Sequence, residues 1–289
     1  MPHKRRLAIF FTCVILCVGF AGVVYFGVTI GSSIISANQN QAFNDALLDG
    51  IDVRPATSVA VHATTPSVTS LPVDESEPND AQNNEVVEEP YDMDLQGEHA
   101  QEWIPFVDFG ALAERLPGVM GWIQMGDTTL NYPIMQWTDN DFFLYRLPDG
   151  TRNRNGSIFL DYRNSPDFTD RNTLIYGHMM RTDDMFGILK HFREQSFFEA
   201  NPSMYIYTPY RDYRLYLFSA YLVDSVVEQP TKHFGTEDEF LLYIEDIKQR
   251  SFFVSDVEIG EGDRIVSLCT CAYDFPNARL IVVGKLVEL

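Results

Sequence analysis

The pattern of apolar and polar residues divides the chain into three parts. Residues 7–30 carry no charged side chain, residues 36–102 are mostly polar, and residues 103–289 contain many short apolar runs separated by turn residues. Short runs of β-branched, aromatic and aliphatic residues between turns are typical of strands. The runs that predict strands are 119–125, 130–136, 156–161, 172–177, 203–208, 213–223, 252–257, 264–271 and 279–287. So many short strands predict a mainly β domain, either a closed barrel or a sandwich.

Three helices are predicted within the same part of the chain. The first, Asp108 to Leu116, begins at an aspartate that can cap it and stops before a Pro-Gly pair. The second is Asp184 to Phe192. The third, Thr236 to Arg250, begins with the Thr and Glu spacing of a capping box. One face of this third helix is apolar and consists of Phe240, Ile244 and Ile247.

The uncharged stretch 7–30 predicts a membrane-spanning helix. At about 1.5 Å per residue, a helix of this length is roughly 36 Å long, which is enough to cross a bilayer. The apolar part of a cleaved secretory signal is usually shorter, about 7 to 15 residues. We therefore interpret residues 7–35 as a retained transmembrane signal anchor, with cleavage near Ser36 and Ala37 as the alternative.

Charge predicts the orientation of this anchor. Lys4, Arg5 and Arg6 precede it, and positive residues beside a membrane span favour the cytoplasmic side. Residues 1–6 are therefore expected in the cytoplasm. The rest of the chain after the single span is expected outside the cell.

The segment that follows, 36–102, is predicted to be a disordered acidic extracellular linker. Asp74 to Glu102 contains eleven acidic residues and no lysine or arginine. Such a composition buries too little apolar surface to offset the entropy lost on ordering the chain. The sequence also allows a short amphipathic helix around Phe43 to Ile51 within this segment.

The net charge of −20 for the whole chain argues against a nucleic-acid-binding protein.

Two cysteines in the C-terminal domain are candidates for thiol chemistry. Cys269 and Cys271 lie in a predicted strand, where alternation places both side chains on one face, about 7 Å apart. A disulfide between them would distort the backbone. Because exported cysteines normally pair, two thiols without a distant partner suggest that one is kept for its reactivity. The alternative is that both are small buried strand residues.

One histidine and one arginine are candidates to assist a reactive thiol. His178 ends an apolar strand, and Gly177 before it permits close approach of another group. A thiol with a neighbouring histidine is the minimum for acyl transfer by cysteine. If the last two predicted strands pair, Arg279 lies beside Cys271, where its guanidinium can stabilise an oxyanion. The alternatives are a structural role for His178 and an exposed ion pair between Arg279 and Asp274.

No metal or cofactor is expected. The domain has no zinc-binding or calcium-binding motif and no glycine-rich phosphate loop. The cluster Asp139-Asn140-Asp141 is more typical of a turn than of a calcium site.

The same residues carry a resemblance to a known family. The segment Ser267-Leu268-Cys269-Thr270-Cys271 resembles the Thr-Leu-x-Thr-Cys signature of the sortases, and Arg279 follows within the spacing that this family uses. Other segments that are similar to class B sortases occur in order along the domain, at 119–124, 132–136, 139–144, 156–163, 172–178 and 185–192. Because the likeness covers nearly all of 103–289, this part is identified as a class B sortase catalytic domain.

The resemblance implies a closed eight-stranded sortase-type β-barrel, with an N-terminal helix and a helix between the sixth and seventh strands. It also implies a cysteine transpeptidase. Cys271 would attack the carbonyl of a threonine in the C-terminal sorting motif of an exported protein, His178 would protonate the leaving amine, and Arg279 would aid the oxyanion. A peptidoglycan precursor or a pilin would then supply the amine that accepts the acyl group. Positions that contact substrate in this class match Asn140, Leu144, Ser267 and Cys269.

Two positions depart from the family pattern. Ser267 replaces a threonine and keeps the hydroxyl, whereas Cys269 stands where class B sortases usually have serine. The second departure raises the hypothesis that Cys269 is oxidised with, or instead of, Cys271.

Two other functions stay open at this point. An exported cell-wall cysteine hydrolase would typically hold its cysteine at the start of a helix. A non-catalytic surface binding module would keep its function in the variant Cys271→Ala.

Overall fold

The computed structural model describes residues 107–289, together with residues 25, 27, 31, 35, 38, 39 and 41–47. The predicted cytoplasmic segment 1–6, most of the predicted anchor 7–35 and most of the predicted linker 36–102 lie outside the described residues. Within the described part of the chain, no helix combines the length and the apolar composition needed to cross a membrane.

Eight strands close into a β-barrel. They are β1 (Val119–Gln124), β2 (Asn131–Met135), β3 (Ile158–Leu160), β4 (Asn172–Tyr176), β5 (Ser203–Tyr207), β6 (Asp212–Asp224), β7 (Arg264–Cys271) and β8 (Ala278–Glu288). Around the barrel the order is β1, β2, β3, β4, β7, β8, β6, β5, and β5 pairs with β1 to close it. The pairs β2–β3 and β4–β7 are parallel, and the others are antiparallel. The prediction of a closed eight-stranded barrel is confirmed.

One predicted strand, 252–257, is irregular in the structure. Its backbone amides bond to separate partners: Phe252 donates to the carbonyl of Ala220, and Val254 donates to the side chain of Gln195. Phe253 is a core residue whose ring stacks on that of Phe198, with 4.1 Å between centroids. The apolar character of this run therefore reflects burial of an aromatic side chain and not pairing in the sheet.

Two of the predicted helices are confirmed as α-helices. α1 (Phe109–Arg115) begins after Asp108, whose side chain accepts a hydrogen bond from the amide of Ala111. The short helix α2 (Gln195–Ala200) follows later in the chain and was not predicted. α3 (Glu237–Gln249) lies between β6 and β7 as expected, and the hydroxyl of Thr236 caps it.

The second predicted helix, Asp184 to Phe192, is a 3₁₀ helix, Phe186–Arg193. In a 3₁₀ helix, side chains three residues apart lie on the same face. Phe186, Leu189 and Phe192 have this spacing, and all three are fully buried. Their spacing therefore suits the tighter winding. A second, unpredicted 3₁₀ helix, Phe143–Tyr145, lies between β2 and β3.

The two faces of β7 pack against different neighbours. Val266 and Leu268 belong to the main core cluster, with residues of the other strands. Ile265 and Cys269, on the opposite face, pack in a second cluster with the apolar face of α3. On that face Cys271, the last residue of β7, is only partly buried. β7 therefore places one accessible thiol, that of Cys271, just beyond the part of the strand that α3 covers.

Residues 41–47, within the predicted linker, are helical. Leu47 is 1% exposed and lies in the same apolar cluster as Trp122. The side chain of Asn44 donates to the carbonyl of Asn131, at 3.1 Å. This stretch falls where the sequence allowed a short helix, and a buried leucine packs it onto the barrel.

Candidate active site

Pairing of the strands brings the three predicted catalytic residues to one end of the barrel. β7 and β8 are antiparallel, and Cys271 lies directly opposite Arg279. The expected proximity of Cys271 and Arg279 is therefore confirmed. β4 runs parallel to β7, and the amide of Gly177 donates to the carbonyl of Cys269 at 3.2 Å. His178 follows immediately and thus reaches the level of Cys271.

These residues line a common cleft with a volume of about 440 Å³. Three of the four predicted substrate contacts, Asn140, Leu144 and Cys269, form part of its wall. The remaining lining residues are Asp141, Tyr145, Phe159, Tyr176, Gly177, Val223, Ser225, Glu228, Gln229, Pro230, Thr270 and Ile281. The cleft therefore joins the candidate nucleophile to residues from the segment 140–145 and from the connection after β6.

Ser267 is placed differently from its prediction. It does not line the cleft, its side chain is fully buried, and its hydroxyl donates to the side-chain oxygen of Asn172 at 3.0 Å. The reason is that Ser267 lies on the covered face of β7, two residues deeper than Cys269. A buried side chain outside the cleft is not placed to contact substrate, so this expectation is corrected.

The imidazole of His178 is held by a backbone carbonyl. Nε2 lies 2.8 Å from the oxygen of Leu144. Since a carbonyl oxygen can only accept, Nε2 carries a proton and donates it to this bond. In the neutral ring Nδ1 is then the nitrogen that can take up a proton.

Gly177 permits the close packing on which this histidine depends. A Cβ atom at this position would lie 2.7 Å from the ring of Phe186, the first residue of the 3₁₀ helix. The amide of Phe186 also donates to the carbonyl of His178, at 3.2 Å. A ring therefore lies against the backbone beside His178, and only glycine fits there, as the sequence led us to expect.

The two cysteines have opposite surroundings. Both are free thiols, but Cys269 is 4% exposed whereas Cys271 is partly accessible. Burial raises the pKa of Cys269 far above its usual range, the negative charge of Asp161 raises this pKa further, and Arg279 opposes the shift. Cys269 therefore matches the alternative of a small buried thiol, and Cys271 is the one available to react.

Arg279 does not form the ion pair with Asp274 that was the alternative to a role beside Cys271. Asp274 accepts two hydrogen bonds from the guanidinium of Arg193, at 2.7 and 2.8 Å. Arg279 donates to the neighbouring carbonyl of Ala278, at 3.1 Å, and lines the cleft. Its remaining donors are thus available to a group bound beside Cys271.

Two functional candidates were missed in the sequence. Tyr176 lines the cleft, and behind it lies Asp161, a fully buried carboxylate that accepts a hydrogen bond from the Tyr176 hydroxyl. An acid directly after an apolar strand, with Arg163 two positions later, is a pattern that points to a buried ion pair.

Among the residues that the structure describes, no group of three His, Cys, Asp or Glu side chains is arranged to hold a metal ion.

Comparison with known proteins agrees with this geometry. The family model for the sortase domain matches residues 123–287. Sortase B of Listeria monocytogenes is 34% identical over 171 residues, which are 58% of this chain and 70% of that protein.

Solved structures agree as well. A Staphylococcus aureus sortase B–substrate complex superposes with a TM-score of 0.60 at 31% identity, over 63% of this chain and 85% of that one. A sortase B complexed with triglycine gives a TM-score of 0.60 at 32% identity, over 63% and 86% of the two chains. A match over more than half of the chain, with relatives that share its barrel, shows that the chain belongs to the sortase family of cysteine transpeptidases, in the sortase B class.

Proposed function

We propose that Cys271, His178 and Arg279 carry the transpeptidation. The observation that supports this assignment most directly is that the one accessible thiol of the described residues faces Arg279 across the strand pair, in a cleft that His178 also lines. The family relationship supports an acyl transfer through cysteine, and these three side chains have the types that such a transfer needs.

In the first half of the reaction, Nδ1 of His178 takes the proton of the Cys271 thiol, and Sγ attacks the carbonyl carbon of a threonine in the sorting motif. The carbonyl oxygen becomes an oxyanion, and the guanidinium of Arg279 stabilises it. His178 then gives the proton on Nδ1 to the leaving amine, the C–N bond breaks, and a thioacyl enzyme remains. The bond from Nε2 to Leu144 orients the ring throughout, because it persists in both protonation states.

In the second half, the amine of the acceptor attacks the thioacyl carbon. His178 takes a proton from this amine at Nδ1, the new amide forms, and Cys271 leaves as thiolate. We propose an exported protein with a C-terminal sorting motif as acyl donor and a cell-wall precursor or pilin amine as acceptor. The relatives support this pair of reactants, since sortase B structures are known in complex with substrate and in complex with triglycine.

We propose further that residues 7–35 anchor the enzyme in the cell membrane by a single span, with the N-terminus in the cytoplasm and the barrel outside. The uncharged stretch 7–30 and the preceding Lys4, Arg5 and Arg6 support this topology. An acidic linker would then hold the cleft near the outer surface, where both reactants emerge. External protease that removes the barrel from intact cells would support it, and full protection would contradict it.

The chemical proposal is tested with wild-type enzyme, Cys271→Ala and Cys269→Ala. Each is incubated with a library of sorting-type peptides and an amine donor, and intact mass is measured for enzyme and products. We expect a thioacyl adduct on wild type and on Cys269→Ala, absence of the adduct on Cys271→Ala, and a ligated peptide when amine is added.

Other outcomes would favour the competing functions. Cleavage without ligation at saturating amine would indicate a cysteine hydrolase. Ligation by Cys271→Ala would contradict the assignment of the nucleophile.

A further inference from the structure

A buried carboxylate lies directly behind the wall of the cleft. Asp161 follows β3, is fully buried, and is not itself a lining residue. Its Oδ2 accepts hydrogen bonds from Nδ2 of Asn140 at 3.2 Å and from the hydroxyl of Tyr176 at 3.1 Å. Both donors line the cleft, so one hidden group contacts two residues of the proposed substrate site.

Asp161 remains an acceptor under all ordinary conditions. Burial alone would raise its pKa, but hydrogen bonds from Arg163 and Asn140 outweigh burial and lower the pKa to about 2. Arg163 contributes its backbone amide, Nε and Nη2, at 2.7 to 2.9 Å. Burial also raises the pKa of Tyr176, so its hydroxyl keeps its proton and donates it to Asp161. The direction of every bond in this group is therefore determined.

The amide of Asn140 is held at both ends. Nδ2 donates to Asp161, and Oδ1 accepts from the backbone amide of Tyr162 at 3.0 Å. A flip of the amide would place its oxygen against the carboxylate and its NH₂ against an N–H donor. One N–H and one lone pair remain unused by these bonds, and they are available to a ligand in the cleft. This pattern of one donor and one acceptor is complementary to a peptide group.

We propose that Asp161 is a positioning residue for substrate recognition, which orients the Asn140 amide and the Tyr176 hydroxyl toward the peptide groups of the sorting motif. The inference rests on the proposed function and on the expected contact of Asn140, which lines the cleft, with that peptide. Asp161 acts through its two neighbours and does not touch the substrate. Its loss should therefore affect peptide recognition and leave the chemistry at Cys271 nearly unchanged.

The test uses the full chain and a sorting peptide that the wild type ligates. In Asp161→Asn, the new NH₂ competes with the donors of Asn140 and Tyr176, so the Asn140 amide is held less firmly and only its bond from the Tyr162 amide remains intact. We expect the KM for the peptide to rise about tenfold, the loss expected from one or two weakened hydrogen bonds. We also expect kcat and the KM for the amine to stay within about twofold of wild type.

A double-mutant cycle separates positioning from a general structural effect. If Asp161 acts mainly through Asn140, the double variant Asp161→Asn, Asn140→Ala should have a peptide KM close to that of Asn140→Ala alone. Independent, multiplying effects would overturn the proposal, and so would a fall in kcat with unchanged KM. The control Asp263→Asn removes another paired carboxylate, which bonds to Lys285 away from the cleft, and it should leave the KM unchanged.

A second variant keeps the proposal testable if Asp161→Asn does not fold. Tyr176→Phe removes one donor to Asp161 without a change in charge, and it should raise the peptide KM by a smaller factor in the same direction. A wild-type KM in Tyr176→Phe, with Asp161→Asn unfolded, would count against the proposal. Failure of the proposed function itself would look different, because the wild type would then form no ligated peptide.

Discussion

Cys269 and Cys271 point to the same face of one strand but lie in different surroundings. Helix α3 packs over Cys269 and excludes water from it, whereas Cys271 lies beyond that cover at the mouth of the cleft. Because the thiolate is the reactive form, a thiol whose pKa is raised by burial is a poor nucleophile. The buried Cys269 and the candidate nucleophile Cys271 are therefore only two residues apart. Oxidation of Cys269 depends on whether an oxidant can reach its buried thiol.

The first prediction concerns the reactivity of these thiols. At pH 8 iodoacetamide should modify Cys271 in the native enzyme and leave Cys269 unmodified, as measured by mass spectrometry of peptides. In Cys271→Ala, Cys269 should react only after a denaturant has unfolded the domain. Equal rates at both positions in the native enzyme would contradict the assignment, and so would peroxide oxidation at Cys269 without unfolding.

The second prediction concerns the ion pair of Arg163 with Asp161. The folded pKa of Asp161 is about 2, below its ordinary 3.8, so this group stabilises the fold above about pH 4, and the stabilisation is lost as pH falls through 2. Because the Arg163 side chain is half exposed, we expect Arg163→Gln to lower the free energy of unfolding by about 1 kcal/mol at pH 7.

Denaturant titrations at several pH values test this prediction. The difference between Arg163→Gln and wild type should shrink as pH falls from about 4 through 2, because below about pH 2 Asp161 is protonated in both proteins. Arg211→Gln, which breaks an exposed ion pair with Glu288, is the control and should change little. A difference that does not depend on pH would show that the effect is not carried by this carboxylate.

At the scale of elements, the junction between β4 and the 3₁₀ helix that follows decides where His178 lies. The parallel ladder to β7 ends at Tyr176, and the segment 179–185 leads to Phe186, whose amide bonds back to the carbonyl of His178. The ring of Phe186 then packs on Gly177. The histidine is therefore held between a strand end and a buried aromatic residue, as well as by its own bond to Leu144.

The third prediction tests this junction. Gly177→Ala would place a methyl group 2.7 Å from the Phe186 ring, so either the ring or the strand end must move. A shift of about 1 Å at His178 is enough to lower kcat/KM about 100-fold. Ligation kinetics measure the effect. Gly260→Ala, whose Cβ would meet only an ordinary contact at 3.8 Å, is the control and should keep wild-type activity. A fully active Gly177→Ala enzyme would contradict this account of the junction.

At the scale of the whole molecule, the order of the strands builds the cleft. β4 and β7 are far apart in sequence but adjacent in the barrel, and β8 lies on the other side of β7. One end of these three neighbouring strands thus collects the histidine, the cysteine and the arginine. The barrel also binds a stretch that precedes it in the chain, since Leu47 is buried beside residues of β1 and α1.

The fourth prediction concerns this upstream stretch. Leu47→Ala should lower the free energy of unfolding by about 2 to 3 kcal/mol, the range for truncation of a buried leucine. Thermal or denaturant unfolding of the full chain measures the loss. Asp45→Ala, at an exposed position of the same helical stretch, is the control and should be neutral. A neutral Leu47→Ala would show that this stretch does not contribute to the stability of the barrel.

The sequence by itself determined the elements and the chemistry. Periodicity and turn residues predicted all eight strands to within two residues at each end, and capping residues predicted α1 and α3, because these features are local. The types and order of Cys271, His178 and Arg279 also indicated acyl transfer through cysteine. The prediction of a strand at 252–257 was wrong, since an apolar run around a single buried phenylalanine has the same composition as a short strand.

Only the tertiary structure decided which of these residues meet and which are hidden. The burial of Cys269 and Ser267 under α3, the bond from His178 to Leu144 and the group around Asp161 all join residues that are distant along the chain. Local patterns carry no information on such contacts. Strand order and helix packing set them, because they determine which side chains lose water and which oxygen atoms and N–H groups come within hydrogen-bonding distance.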